Sequence, residues 1–469
     1  MAIRTREQFF AGLRDGRRVF YRGRRVPDVL GEPELHKAAS RSAIAYDMQH
    51  DPAHRALAVD EGDGEPCSAM FRVPRSADDL LRRSELIERT SAQGGATIVL
   101  KEVGTDGLLA LLRVLEGEAL ERATAFFERC RLGDLALAVA QTDVKGDRSR
   151  LPHEQSDPDM YLRIVDEDRD AIVVRGAKCH TSFSAYVDEI LVLPTRAMRA
   201  EDESHAVAFA LPVDTPGLEL YVSPYLGGER NHFEHPLSSR YSIVESLTVF
   251  DDVVVPKERV FLARRPELAG PLAVAFVDFH RFTAVSYKLP LVDLIVGAAH
   301  LAAEVNGTGR AGHVRDKIAQ LVRWAETVRG LAQLSALRSA PDASGVQVPD
   351  ALTVNMAKFE FAHGYHAAIG KLIDLAGGLL VTGPGLEDWQ DPATRARLEK
   401  YYAAAVPAER RLGVMNLIAD LCARDFGGYQ SVLATHAEGS LEAEKLQLLR
   451  SYAPGPARAL AERLGRIAP

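Results

Sequence analysis

Between Gln141 and Arg148 the chain reads Gln-Thr-Asp-Val-Lys-Gly-Asp-Arg, gathering a hydroxyl, two carboxylates, a lysine and an arginine around one glycine. Such a loop can present backbone N–H groups and a cation to a phosphate or to a polar cofactor ring. Gln141, Thr142, Asp143, Lys145, Gly146, Asp147 and Arg148 would make the contacts. Read from its chemistry alone, the same stretch is more often a charged surface turn. Arg175-Gly-Ala-Lys-Cys-His-Thr-Ser182 closes a Val-rich run with donors and hydroxyls, and by itself reads as a strand end. Glu245 stands between Val244 and a run ending at Phe250, where alternation allows its carboxylate to face inward or outward. His280 and Arg281 interrupt the apolar-aromatic segment VAFVDFHRFTAVSYKL. A lone histidine on such a helix is more often a satisfied core residue. Tyr287, seven positions on, shares its face, and the two facing a cavity could do acid–base work.

The elements that must position these residues fall into three blocks. Residues 1–140 read as a helical domain, with Leu, Ile and Phe at three- and four-residue spacing in Ala77–Arg89 and Asp106–Arg129. Residues 141–267 change texture to short Val-, Ile- and Tyr-rich runs, namely YLRIVDE, AIVVRGAK, EILVLPT, AVAFALPV, LELYV and SLTVF, separated by turns. That pattern predicts an antiparallel barrel or sandwich. Residues 268–469 return to helical spacing and predict a bundle over Phe276–Glu304, Val314–Leu337, Pro349–Leu375 and Pro407–Ala423. Gly307-Thr-Gly309-Arg-Ala-Gly312 matches a dinucleotide-binding glycine pattern on paper, but with helix on both sides it reads as an interhelical turn.

The net charge of −8 and pI near 6.0 argue against a broad nucleic-acid-binding face. Eight arginines fall within the first 25 residues, but Glu7 and Asp15 interrupt them and no apolar core follows, so no targeting peptide is expected. The longest apolar run, Leu289 to Ala303, carries Asp293 and His300 and reads as a buried helix, not a membrane span. Cys67, Cys130, Cys179 and Cys422 are scattered without metal-binding spacing, which suits free thiols in a cytoplasmic protein.

In order, QTDVKGDRSR, DPDMYLRIV, AIVVRGAKCHTS, ESLTVFDDVVVP, FHRFTAVSYK and AGGLLVTGP resemble the 4-hydroxyphenylacetate 3-hydroxylase / 4-hydroxybutyryl-CoA dehydratase family from about Thr5 to past Ser440. The resemblance implies an acyl-CoA dehydrogenase fold (mainly α with a central β-barrel), FAD between barrel and bundle, and a homo-oligomer, tetramer or dimer. It further implies that Gln141–Arg148 and Ser182 hold the FAD, with a loop at His436–Gly439 approaching the flavin of a neighbouring subunit.

The substrate positions of both well-known branches differ here. His280 matches the histidine of the dehydratase's iron–sulfur site, but its three cysteine positions are Ile98, Glu102 and Tyr287. An iron–sulfur cluster needs thiolates, so none is expected. The dehydratase's acid–base glutamate and tyrosine match Leu433 and Ala284, and the hydroxylase's phenol-binding Arg, Tyr and His match Ile98, Glu102 and Val139. What the resemblance implies is a two-component monooxygenase that takes FADH2 from a separate flavin reductase and hydroxylates an aromatic or similarly electron-rich small molecule. His280 and Arg281 would lie at the substrate, with Glu102 or Tyr287 handling protons. The alternatives are a redox-neutral acyl-CoA isomerase or dehydratase using His280 and Glu245, and a non-catalytic homologue.

Overall fold

The computed structural model describes residues 3–62, 64–225 and 227–467. Helices come first, two β-sheets follow, and a helical bundle closes the chain. The Ala77–Gln93 helix starts where Ser76 accepts a hydrogen bond from the Asp79 N–H, with Asp78 and Asp79 in its first turn facing the positive end of the helix dipole. The expected single helix over Asp106–Arg129 is instead two, Glu102–Val114 and Gly117–Gly133. Leu115 and Glu116 turn extended and Gly117 adopts φ +54°. The bundle elements come close to their predicted spans, at Pro266–Val305, Gly312–Leu337, Ala351–Ala376 and Ala408–Cys422. The glycines at 307–312 form the predicted turn between the first two.

Of the antiparallel barrel or sandwich expected, the described residues form no closed barrel but two packed sheets. Most strands form two sheets, one of six and one of four, beside two-stranded ladders of Val59–Asp60 with Cys67–Ser68 and Ala340–Pro341 with Gln347–Val348. The larger runs Arg24–Val26, Arg18–Tyr21, Leu218–Val222, Glu245–Pro256, Ala171–Ser182, Arg163–Glu167, and the smaller Val260–Ala263, Val207–Pro212, Glu189–Val192, Leu137–Ala140. Two pairings are parallel, Arg18–Tyr21 with Leu218–Val222 and Leu137–Ala140 with Glu189–Val192. Both bring in strands from the first 140 residues, whose run lengths are too short to reveal them by periodicity. Phe209 of the small sheet meets Phe250 of the large one edge-on at 5.8 Å, so the sheets share a core, and the chain just after Leu137–Ala140 bridges at Asp143 to Lys178 of the large sheet.

Gly176 lies in the middle of the Ala171–Ser182 strand with φ +125°, and a Cβ there would come within 2.6 Å of the Leu162 Cα and the Tyr161 carbonyl. Gly176→Ala is therefore expected to destabilise the fold by about 1–3 kcal/mol, because the obstruction is backbone and cannot rotate away. Chemical denaturation of the purified variant against wild type measures it.

The Pro266–Val305 helix is 40 residues long and continues through Pro271 and Pro290. By length and composition it could cross a membrane, but 72% of its apolar window is buried inside the protein, as a core helix requires. Ala284 and Tyr287 pack into the core beneath the sheets, whereas Leu289, Leu291, Val292 and Ile295 belong to the core of the bundle with Trp324 and Phe361. The helix thus passes from one core to the other at Tyr287 and Lys288. Polar groups buried at that seam are the ones available for chemistry.

Candidate functional site

Strand register builds the first part of the site. Glu245 opens its strand directly opposite Ser182, which closes the neighbouring one. Ser182 Oγ donates to Glu245 Oε1 and Oε2 at 3.0 and 2.8 Å, and Tyr429 Oη, from the Asp425–His436 helix, donates to Oε1 at 2.8 Å. Burial pushes the Glu245 carboxyl up to about 7; the two hydroxyl donors oppose that shift and the Glu438 carboxylate adds to it. A carboxyl tuned to neutrality beside hydroxyls is equipped to exchange a proton.

The Gln141–Arg148 loop runs beside the same strand, four residues before Ser182. The Thr142 carbonyl accepts from the Cys179 N–H at 2.9 Å, and Asp143 pairs with Lys178 at 2.5 Å. Lys178 Nζ also donates to the Gln141 carbonyl at 3.0 Å, so Gln141 and Asp143 are held in place by one buried cation. Asp143 Oδ2 is buried and has no hydrogen-bond partner. Beyond it the loop emerges: Lys145, Gly146, Asp147 and Arg148 are exposed, Gly146 has φ +49°, and Asp147 accepts from Ser149. Among the described residues, neither Lys145 nor Arg148 has an ion-pair partner.

The second part is a chain of buried charges at the seam. Glu438, in the left-handed region with φ +56°, follows the Asp425–His436 helix. Its carboxylate accepts from Tyr287 Oη and, at 2.6 Å, from Lys288 Nζ, with Lys358 Nζ at 3.8 Å. Burial works to raise Glu438, but the positive charges of Lys288 and Lys358 outweigh it and hold the group at about 2. Burial brings Lys288 down to about 8. Arg281 donates to the Glu438 carbonyl at 3.3 Å and to Asn355 Oδ1.

Glu102 opens its helix one turn before Asp106. Its Oε2 accepts from the Val99 N–H at 3.2 Å, its Oε1 has no partner, and burial raises its carboxyl well above the usual range. Arg41 ties down the preceding loop by donating to the carbonyls of Gly94 (2.7 Å), Thr97 (2.8 Å) and Ile98, leaving Nη1 buried and unpartnered. His280 Nδ1 lies 3.5 Å from Asp106 Oδ2, and its ring stacks on Phe276. Asp106 in turn holds Arg83 at 2.8 Å and Thr283 at 2.9 Å.

The structure therefore brings Ser182 and Glu245 into contact and joins Tyr287 and Arg281 through Glu438, while His280 faces Asp106, Glu102 lies one helical turn before Asp106, and the second half of the Gln141–Arg148 loop is exposed. Sequence reasoning missed Tyr429, Arg41 and Asp106 as site residues, and reached Glu438 only within the His436–Gly439 loop expected at a neighbouring subunit's flavin, whereas its carboxylate meets Tyr287 and Lys288 of its own chain. Lys358, a lone lysine inside the apolar run NMAKFEF, carried a readable signal; Arg41 carried none. A cavity of about 760 Å³ opens between the Ala77–Gln93 and Pro266–Val305 helices, lined by Leu81, Ala96, Tyr241 and Leu289 among others. None of the predicted site residues lines it. The positions that would need thiolates for an iron–sulfur cluster present a methyl-ended chain, a carboxyl and a phenol, and all four cysteines are free. That donor set does not fit a cluster.

Helices, two packed sheets and a bundle define an acyl-CoA dehydrogenase-like fold, which glutaryl-coenzyme A dehydrogenase shares at TM-score 0.50 and 17% identity, over 83% of this chain and 80% of that one. The chain belongs to the 4-hydroxyphenylacetate 3-hydroxylase family, whose N-terminal and C-terminal descriptions match residues 5–262 and 269–465. It is 30% identical to the 4-hydroxyphenylacetate 3-monooxygenase oxygenase component of Thermus thermophilus, over 88% of this chain and 87% of that protein. To the 4-hydroxybutyryl-CoA dehydratase/vinylacetyl-CoA-Delta-isomerase of Clostridium aminobutyricum it is 29% identical over 96% of each. A crystal structure of a 4-hydroxyphenylacetate 3-monooxygenase oxygenase component with FAD and 4-hydroxyphenylacetate superimposes at TM-score 0.90, with 28% identity and 99% of each chain covered.

Proposed function

We propose that this chain is the oxygenase component of a two-component, FAD-dependent monooxygenase that hydroxylates an aromatic or similarly electron-rich small molecule. The observation that carries this reading is Ser182–Glu245–Tyr429, a buried carboxyl held by two hydroxyls at the end of the strand that also anchors the Gln141–Arg148 loop. Two unpaired cations, Lys145 and Arg148, suit a diphosphate, and Ser182 with Gln141 and Thr142 suits the polar edge of a flavin ring. When bound, reduced FAD supplies the activation of O2; the protein must hold it, exclude water and aim the substrate. A separate flavin reductase is the partner this scheme needs. We further propose a cytoplasmic homo-oligomer, dimer or tetramer; the exposed Leu446, Leu449, Leu460 and Leu464 of the C-terminal helices support association.

The test combines purified protein, a flavin reductase, NADH and a panel of phenols in air. The expected result is NADH consumption coupled to an oxygenated product; release of peroxide with every phenol unchanged refutes it. The redox-neutral reading draws on Glu245 and His280 and on the likeness to the dehydratase. It predicts instead turnover of an acyl thioester under strict anaerobiosis with the flavin oxidised.

A further inference from the structure

We infer that Gln155 is a positioning residue for the cofactor: its side-chain amide sets the turn from which Lys145 and Arg148 present their charges to the FAD diphosphate. This rests on the proposed function and names what shapes its cofactor loop.

The hydrogen bonds carry it. Gln155 is 7% exposed, and its amide grips one residue of the loop in both directions. Oε1 accepts from the Asp147 N–H at 3.0 Å and Nε2 donates to the Asp147 carbonyl at 2.9 Å. Nε2 also donates to the Arg150 carbonyl at 3.3 Å. On the other side of the turn, Tyr161 Oη, on a buried side chain, donates to the Lys145 carbonyl at 3.0 Å. The main chain is thus pinned at Lys145, Asp147 and Arg150. Gly146, between the first two, lies in the left-handed region with φ +49°, and a Cβ there would come within 2.6 Å of Gln155 Oε1 and Met160 Sδ.

The two cations are exposed and, among the described residues, have no ion-pair partner, so the main chain beneath them is what aims them. A loop left unfastened must be ordered at the moment of binding, and every residue fixed then costs affinity. Gln155 removes that cost beforehand. Asp147 and Arg150 lie at the surface, where water can take over their backbone groups once the amide is gone. The loss therefore falls on the order of the loop and not on the fold.

The test measures FAD binding calorimetrically in Gln155→Met and Gln155→Glu. The first removes both halves of the amide at similar length; the second keeps an acceptor for the Asp147 N–H but sets a carboxylate against the Asp147 and Arg150 carbonyls. Both are expected to bind FAD about tenfold or more weakly than wild type. In the reductase-coupled assay both should raise the KM for FADH2 to match, with kcat at saturating FADH2 within about twofold. Unfolding temperatures measured without flavin should stay within about 2 °C of wild type. Should neither variant fold, Tyr161→Phe decides: it frees only the Lys145 carbonyl and should weaken FAD about threefold with the same split. A smaller loss of affinity, a fall in kcat with unchanged KM, or a larger fall in unfolding temperature overturns the inference. Failure of the wild-type protein to take up FAD in either redox state overturns the proposed function instead.

Discussion

Glu245→Gln is expected to lower product formation by about 10²–10⁴-fold, the range a positioned general acid–base contributes, while leaving FAD binding in place. Glutamine still accepts from Ser182 Oγ and Tyr429 Oη, so the local geometry survives and only proton exchange is removed. The wild-type rate should rise with pH through about 7, as burial releases the Glu245 proton only there, and that limb should vanish in the variant. Linkage adds a second readout. The folded-state value lies above the ordinary 4.5, so the folded protein binds more protons between the two. The stability this group contributes is complete below about 4.5 and is lost as pH rises through about 7, an effect of roughly 1–3 kcal/mol. In Glu245→Gln the dependence in that window should flatten. An unchanged pH–rate profile in the variant would remove Glu245 from the chemistry.

The second large effect concerns the support of Glu102. Lys101 and Asp134 form an ion pair at 2.6 Å with side chains 1% and 0% exposed. Tyr46 lies under the ammonium at 3.9 Å, and Asp134 Oδ2 accepts from Gln49 Nε2 at 2.9 Å and from the Arg4 N–H at 3.1 Å. Lys101 adopts φ +73° immediately before the Glu102–Val114 helix, so the pair fixes the turn that delivers Glu102 into the interior. Asp134→Ala strands a buried ammonium and should cost about 3–5 kcal/mol of stability. The K101M/D134L double variant, with neither charge present, should recover most of that loss. Calorimetric unfolding of the single and double variants decides it; a single-variant loss below about 1 kcal/mol would show that the pair is not the anchor.

Much of this was legible beforehand because it is local. Helical spacing gave the bundle segments, the Val-rich runs gave most strands, and glycines marked the turn at 307–312. Periodicity could not find the Arg18–Val26 hairpin or the Leu137–Ala140 strand, because three or four residues are too few to show alternation and their pairing partners are distant. The same limit produced the expected barrel: alternation reports that strands exist, not whether the edges of a sheet meet.

The sequence by itself determined which groups are on hand: the Gln141–Arg148 loop, Ser182, Glu245, His280 and Tyr287, together with the absence of thiolates at positions 98, 102 and 287. Only the tertiary structure decided what those groups become. Burial makes Glu245 a neutral-pH carboxyl, strand register sets Ser182 against it, and the left-handed turn at Glu438 carries a carboxylate from the end of the chain to lysines 150 and 80 positions earlier. Desolvation and long-range pairing depend on which surfaces the fold removes from water, and no spacing along the chain encodes that directly.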